Sequence, residues 1–409
     1  MSEFFVVKTV EDALDLLKSE IQISKQIERI STYNALGRVI ARAPLSPSDL
    51  PTFVRSTMDG YAVRAADTFG ASQSLPAYLN VKHTIHIGTT PNFTLLAGEA
   101  AEIHTGAMLP PGADAVVMVE RTQKISDCEI EVLSPVAPGE NLVQIGEDIQ
   151  QGQPILLIGH RVRPQDIGGL LAVGITHIDV MMPPKVAILS SGNELVPPDK
   201  TPAVAQIRDI NAYILAAMFQ QIGAKTHVLG IAHDTIESLE TMAKSGLDQA
   251  DMLVMSAGSS VSAHDLTRQV INNLGKPGVL QHGLAVKPGK PTIIACCDGK
   301  PVIGLPGNPV SAVLVARWIV LPIIHYLLGE RARPIGTIRA TLKQNIASTT
   351  GRLDAVPVKL IQSEQQVFAE PVLGKSNLIY RLVNADGIIT VGLNQSGLKT
   401  GEQVEVVLI

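Results

Sequence analysis

The sequence predicts a multidomain α/β protein centred on a parallel sheet, on three observations. Residues 184–329 alternate short apolar runs with longer helical stretches, the pattern of strands and crossover helices. Residues 51–141 change to short strands and turns, many marked by Gly or Pro, between helical or mixed segments at 3–43 and 142–182 that share a character. Residues 330–409 carry period-two stretches separated by Gly374, Gly387 and Gly401, with no helix of useful length. The implied division is a discontinuous N-terminal domain (1–50 and 142–182), a β-rich inserted domain (51–141), an α/β domain (183–329) and a small C-terminal β-barrel or sandwich domain (330–409).

Taken in order, Val10, Leu14, Leu17 and Ile21 recur at helical spacing, and a second pattern around Leu36, Val39 and Ile40 extends the expected helical region over 3–43. Pro47 and Pro51 break it. In the insertion, Ser56-Thr57-Met58-Asp59-Gly60 is a turn with Asp59 at its edge, and Thr105-Gly106 opens a Gly/Pro-bracketed loop ending in a strand at 115–119. Either segment alone reads as turn chemistry. Arg163-Pro164-Gln165-Asp166 starts a helix. Strands are expected at 186–189, 227–231, 252–255, 280–286 and 302–305, and helices at about 209–222, 235–248, 264–274 and 309–328.

Composition bounds the function. At 409 residues, 45% hydrophobic and 17% charged, the chain has core material for two or three domains. A net charge of −5 with no basic block argues against coating nucleic acid. The start has no signal-peptide pattern, so a cytoplasmic protein is expected. The apolar run 310–328 nearly reaches membrane-spanning length, but Arg317, Pro322 and His325 favour a core helix. Cys128, Cys296 and Cys297 form no disulfide framework and are expected to be reduced and buried.

In parallel sheets, ligands collect at the carboxyl ends of strands. The loops expected there are Ser191-Gly192-Asn193-Glu194, His233-Asp234, Ala257-Gly258-Ser259-Ser260, Lys287-Pro288-Gly289-Lys290 and Leu305-Pro306-Gly307-Asn308-Pro309. Asn308 is a suitable N-cap with Pro309 at the first helical position, and Gly307 lets backbone N–H groups converge on an oxyanion at the start of the helix that carries Ser311. A tight connection with solvated lysines stands beside that reading. Glu194, Asp234 and Asp265 share the rim with these lysines and suit Mg²⁺ held through one or two carboxylates plus phosphates. Capping is the plain alternative for Asp234, before its helix, and for Asp265, in the first turn of the next. No Walker A, no Gly-x-Gly-x-x-Gly, no hydrolase triad and no third ligand beside His83 and His86 is present.

At these residues the sequence resembles the molybdopterin molybdenumtransferase family, which includes bacterial MoeA and the E domain of gephyrin-like proteins. The matching segments are Ser56-Thr57-Met58-Asp59-Gly60-Tyr61, Thr105-Gly106 through Ala113-Asp114-Ala115-Val116, Gly146-Glu147-Asp148-Ile149, Ser191-Gly192-Asn193-Glu194-Leu195, Ala285-Val286-Lys287-Pro288-Gly289-Lys290-Pro291 and Gly304-Leu305-Pro306-Gly307-Asn308-Pro309-Val310-Ser311. Their order holds over essentially the whole chain. The resemblance implies a molybdopterin-binding-like α/β domain, a C-terminal β-barrel, and an enzyme that inserts molybdate into adenylylated molybdopterin with Mg²⁺-dependent release of AMP. It further implies a homodimer sharing its active site, with the upstream adenylyltransferase and recipient molybdoenzymes as partners. Asp59, Thr105, Asp148, Glu194, Asp234 and Asp265 then fall on catalytic positions, with Asp265 and Glu194 as metal ligands. Gly192, Gly258, Ser259, Lys287, Pro288, Lys290, Gly307, Asn308, Ser311, Arg352 and Ser376 fall on substrate positions. The chain departs from the family pattern in a shortened loop at 257–263, at a usual lysine replaced near Gly283 or Leu284, and at Ser376-Asn377. A molybdopterin adenylyltransferase and a non-catalytic pterin-binding scaffold are the alternatives; the first needs neither the insertion nor the tail.

Overall fold

The structure is a computed structural model and describes residues 7–22, 26–257, 261–364 and 366–409. Its centre is a six-stranded sheet in the order Lys225–Ala232, Lys185–Ser191, Met252–Ala257, Lys300–Pro306, Ile293–Cys297, Pro277–His282. The first three pairings are parallel, as expected; the last two are antiparallel. The reason is local: Asp298 (φ 50°) and Gly299 (φ 80°) form a two-residue hairpin turn that reverses the chain between Ile293–Cys297 and Lys300–Pro306. The strand expected at 280–286 is also split. Pro277–His282 stays in the sheet, Gly283 turns at φ 101°, and Val286–Lys287 leaves to join the C-terminal sheet.

Strand alternation divides the core in two. Val186, Ile188, Met252, Val254, Ile303 and Leu305 face one side, against Leu215 and Phe219 of helix Asn211–Gln221 and Val315 and Ile319 of the long helical run. Ala187, Leu189, Leu253, Met255 and Val302 face the other, against helices Ile236–Gln249 and Val261–Leu274. The long run comprises Pro309–Val315, a π-helical turn Ala316–Val320 and Leu321–Leu327. The wide turn directly precedes Pro322, whose missing N–H breaks the α ladder. Apolar enough by length to cross a membrane, the run is mostly buried inside the fold, as a core helix is.

The helical reading of 3–43 is corrected. Among the described residues only Val10–Glu20 is α-helical, N-capped by Thr9, which accepts from the Asp12 N–H at 3.1 Å. It buries Val10, Ala13 and Leu17 in the first of the two central cores. The β-branched stretch Ile27–Ser31 is a strand pairing antiparallel with His177–Met181. Gly37 at φ 74° then breaks any helix, and Val39 and Ile40 make isolated bridges to Arg161 and Val180. Helix Pro164–Ala172 starts where expected. Buried Glu330 joins this unit to the end of the long helical run, accepting from Arg161 Nε at 2.9 Å and pairing with His325 and Arg333.

The inserted sheet runs Ala115–Met118, Gly60–Val63, Glu99–Ile103, Ala77–Ile85, Glu129–Val132, Thr122–Ser126. Tyr61 and Val63 enter one of its cores and Ala62 the other. In the C-terminal unit, Leu353–Gln362, Val367–Pro371, Thr337–Leu342, Gln403–Leu408 and Gly387–Val391 pair in turn, and Leu353–Gln362 pairs back with Gly387–Val391. The result is a closed five-stranded barrel. The three cysteines are free; Cys296 and Cys297 are buried, but Cys128 is exposed, correcting its expected burial. It sits in the turn between strands Thr122–Ser126 and Glu129–Val132.

Candidate active site

The sheet's strand order reverses between Lys185–Ser191 and Met252–Ala257, because the chain goes outward from the first to Lys225–Ala232 and then back to the second. Such a switch point opens a crevice at the strand ends. Buried Ser190 and Ser256 are register partners across it. Asn211, also buried, donates from Nδ2 to Ser256 Oγ (3.0 Å) and to the Gly307 carbonyl (2.8 Å), tying two rim loops together. Its Oδ1 and the Ser190 hydroxyl are buried without partners, two polar atoms whose desolvation nothing in the protein offsets. Beside them, a cavity of about 370 Å³ is lined by Gly192, Asn193, Asp209, Tyr213, Pro198 and His233. A wider groove of about 490 Å³ near Lys18, His325 and Arg333 lies away from the strand ends, so the crevice's polar chemistry, not volume, marks the site.

The acidic rim residues behave differently from one another. Asp234 accepts from the Asn193 N–H at 3.1 Å while Asn193 Oδ1 accepts from the Asp234 N–H at 3.3 Å, a reciprocal clasp between neighbouring loops. The expected capping role belongs instead to Thr235, which accepts from the Ser238 N–H. Exposed Glu194 folds its carboxylate over Gly192, where any Cβ would stand 2.6 Å from Glu194 Oε2. Asp265 is exposed on helix Val261–Leu274; that helix begins earlier than expected, so Asp265 lies beyond its first turn. Gly258 and Ser259 lie outside the described residues. Among the described residues no three His, Cys, Asp or Glu side chains converge on a metal position. Glu194 and Asp265 are exposed carboxylates, each a hard-oxygen donor of the kind that suits a cation sharing its ligands with phosphate and water.

The Pro-Gly-Asn-Pro turn is built as expected, with Asn308 before the helix and Pro309 in its first turn. Asn308 occupies the N-cap position with no side-chain cap; its Nδ2 donates to Ser376 Oγ at 3.2 Å. The Val310 N–H, one of the free donors of the helix start, donates to the Ser376 carbonyl at 3.1 Å. The tail thus caps the helix, taking one of the N–H groups that an oxyanion would otherwise meet at this turn. Ser311 is buried in the same helix. Gly289, at φ 113°, presses against it, leaving no room for a Cβ, which would be 2.3 Å from Val315 Cγ2. Half-buried Pro288 and exposed Lys290 flank that glycine.

Lys287 and Arg352, far apart in sequence, come together. Val286–Lys287 pairs in parallel with Leu353–Asp354 on the edge of the barrel. Between the two cations lies Asp354, only 4% exposed, with Oδ1 accepting from Arg352 Nε (2.9 Å) and Oδ2 3.7 Å from Lys287 Nζ. Sequence reasoning missed Asp354, Asp209 and Asn211. Asp209 precedes a helix and Asn211 opens it, so both resemble capping residues; Asp354 looks like one polar residue inside an ordinary strand.

In the inserted unit Asp59 and Thr105 do meet. Exposed Asp59 Oδ1 accepts from the Thr105 N–H (2.7 Å) and from its hydroxyl (3.2 Å), with His104 Nδ1 at 3.7 Å. The Thr105 bonds, with His104 adding to them, hold the Asp59 carboxyl below its ordinary pKa, so it is fixed and ionised. Gly60 is required beside it, since a Cβ there would stand 2.0 Å from the Val117 carbonyl oxygen. Asp148 is exposed on the returning strand side, its N–H donating to the Leu50 carbonyl.

Comparison with known proteins agrees over the full length. Residues 8–174 match the MoeA N-terminal region (domain I and II), 187–326 match a "Probable molybdopterin binding domain", and 339–409 match the MoeA C-terminal region (domain IV). A Bacillus subtilis protein named molybdopterin molybdenumtransferase is 31% identical, over 94% of this chain and 90% of its own. The chain belongs to the MoeA family. Another relative in the family, a Nostoc molybdopterin molybdenumtransferase, is 35% identical over 76% of this chain and 72% of its own. Among solved MoeA structures, a molybdopterin biosynthesis protein of Pyrococcus horikoshii is 39% identical, covers 98% of this chain and 99% of its own, and superposes with a TM-score of 0.81.

Proposed function

We propose that the chain is a molybdopterin molybdenumtransferase, taking adenylylated molybdopterin and molybdate, placing the metal on the dithiolene and releasing AMP. The observation that carries this reading is a series of bonds that links two chemistries. Asn211, in the switch-point crevice with its unpartnered buried polar atoms, bonds the Gly307 carbonyl, and the next residue, Asn308, bonds Ser376 of the unit whose Arg352 is paired through Asp354 with Lys287, a cationic cluster suited to a tetrahedral dianion. Relatives carrying that activity in their names, one matched over 94% of this chain, support it.

In this reading Gly192, Asn193, Asn211, Gly258 and Ser259 receive the pterin and adenylyl groups, while Lys287, Arg352 and Ser376 receive molybdate. Asp265 and Glu194 hold Mg²⁺, which when bound offsets phosphate charge. Asp59 and Thr105, whose hydrogen bonds stay inside the inserted unit, act on the site of a second subunit in a homodimer. The division at 1–50 with 142–182, 51–141, 183–329 and 330–409, a cytoplasmic location, and transfer from an adenylyltransferase to recipient molybdoenzymes belong to the same proposal.

The test is incubation of the protein with adenylylated molybdopterin, Mg²⁺ and molybdate, following AMP and cofactor. Molybdate-dependent AMP release is expected; its absence overturns the proposal, and adenylylated molybdopterin formed from ATP would assign the chain to the adenylyltransferases. Asp265→Ala is expected to abolish Mg²⁺-dependent turnover in a folded protein, and full activity in that variant removes Asp265 from the site.

A further inference from the structure

We propose that Asp354 is a positioning residue that presets Lys287 and Arg352 for the oxyanion, and so sets the affinity for it. The inference rests on the molybdate reading above and deepens it by naming the group that makes the two cations one site.

Strand geometry supplies the first step. Lys287 is the register partner of Asp354 on the neighbouring strand, so the two share one face at the barrel's edge, and Arg352, just before the strand begins, reaches the same carboxylate. Leu353, between them, points the other way. Two cations brought close together repel, and long side chains lose rotamer freedom when fixed. The Asp354 carboxylate resolves both by taking one cation on each oxygen: Arg352 Nε on Oδ1 at 2.9 Å, Lys287 Nζ opposite Oδ2 at 3.7 Å. Arg352 is steadied further by donating to Thr349 Oγ1 at 3.4 Å.

The burial pattern supplies the second step. The Asp354 side chain is 5% exposed, whereas those of Arg352 and Lys287 are 34% and 55% exposed. A buried carboxylate is a weak way to gain stability, because desolvation offsets most of the pairing. What it achieves here is orientation of two half-open cations whose remaining N–H groups face solvent. Arg352 has one edge committed to Asp354 and Thr349 and the rest of its fork uncommitted. Lys287, at 3.7 Å, is beyond hydrogen-bond distance and ready to take an anion. The cluster carries a net single positive charge, so an arriving dianion meets donors already in place and does not have to assemble them.

The test compares Asp354→Asn, which keeps shape and removes charge, with Asp354→Glu, which keeps charge and displaces it by one methylene. Molybdate and tungstate binding is titrated directly, and KM for molybdate, KM for the pterin substrate and kcat are measured in the AMP-release assay. Both variants are expected to weaken oxyanion binding and raise the molybdate KM at least tenfold, leaving the pterin KM and the kcat at saturating molybdate within about threefold. Tighter binding by Asp354→Asn would make Asp354 a mere counter-charge and overturn the proposal. Unchanged binding in both, or a fall in kcat alone, would overturn it as well. If Asp354→Asn does not fold, Asp354→Glu and Thr349→Val decide by the same readouts. Wild-type protein that neither binds molybdate nor releases AMP overturns the functional reading. Wild-type that binds, with variants binding equally well, overturns only the role of Asp354.

Discussion

The C-terminal barrel and the inserted sheet are both β-rich attachments to an α/β body, but they are attached in opposite ways. The barrel shares backbone with the body: Val286–Lys287 extends its edge, the Leu353 N–H donates to the Ala285 carbonyl at 2.8 Å, and Ser376 caps the long helix. It also shares a core, in which Val310 and Leu314 of the helix pack with Ala355 and Ile388 of the barrel. The inserted sheet has its own cores on both faces, and its neck is a pair of short antiparallel contacts, Arg55–Ser56 with Leu142–Val143 and Leu50 with Ile149. Barrel residues can therefore complete a site on the body of the same chain with fixed geometry. The Asp59–Thr105 pair is held by hydrogen bonds within its own sheet unit, so its proposed role needs a surface from a second subunit.

Four substitutions break or sharpen that contrast. The largest effect is expected for Glu330→Gln, which leaves Arg161 short of its buried partner where the chain enters the barrel, costing about 3–5 kcal/mol in urea unfolding. Its pH signature is also defined. The Arg161 and His325 bonds outweigh burial and hold the Glu330 carboxyl far below its ordinary value. Its contribution is thus fully present above the usual carboxylate range and is lost progressively as pH falls from that range toward the much lower folded-state value, so wild type should lose stability in acid more steeply than the variant. Next comes Leu314→Ala, at about 2–5 kcal/mol, because a fully buried side chain leaves the core shared by helix and barrel. Unlike a change in the inserted sheet, it should also weaken oxyanion binding in titrations.

Gly60→Ala is expected to cost about 1–3 kcal/mol through the clash with the Val117 carbonyl, with oxyanion binding intact. The smallest stability effect, within about 0.5 kcal/mol, is expected for Thr105→Val. That variant takes the hydroxyl donor from Asp59, so the carboxyl rises from its lowered pKa and the acid limb of activity moves to higher pH. An unmoved limb would separate Asp59 from the activity.

Much of this was legible in the sequence, and what was not has identifiable causes. The central strands were read within a few residues because buried parallel strands appear as plain apolar runs between helices. The antiparallel half of the sheet was missed although Asp298-Gly299 spells out a hairpin turn, since the alternation of strands and helices carried the reading past it. The helix over-read at 3–43 treated apolar spacing as decisive where Ile27, Ile30 and Gly37 favour a strand and a break. Asp59, Thr105 and the Lys287 segment were singled out through motifs, and the first two are in hydrogen-bond contact. Asn211 and Asp354 were not, because their importance lies in pairing across elements: one ties Ser256 to Gly307, the other joins two strands from different units. Spacing along a chain carries no trace of such pairings.

The cap that Ser376 places on the long helix also has a consequence in time. Synthesis runs from the N-terminus, so the rim bearing Glu194, Asp234 and the start of the helix at Pro309 exists before Arg352, Asp354 and Ser376 have been made. Until then the Val310 N–H has no Ser376 carbonyl to bond and Lys287 has no strand to lie along. If Lys287, Arg352 and Ser376 hold the oxyanion as proposed, that half of the site is assembled only once the barrel strands have been made.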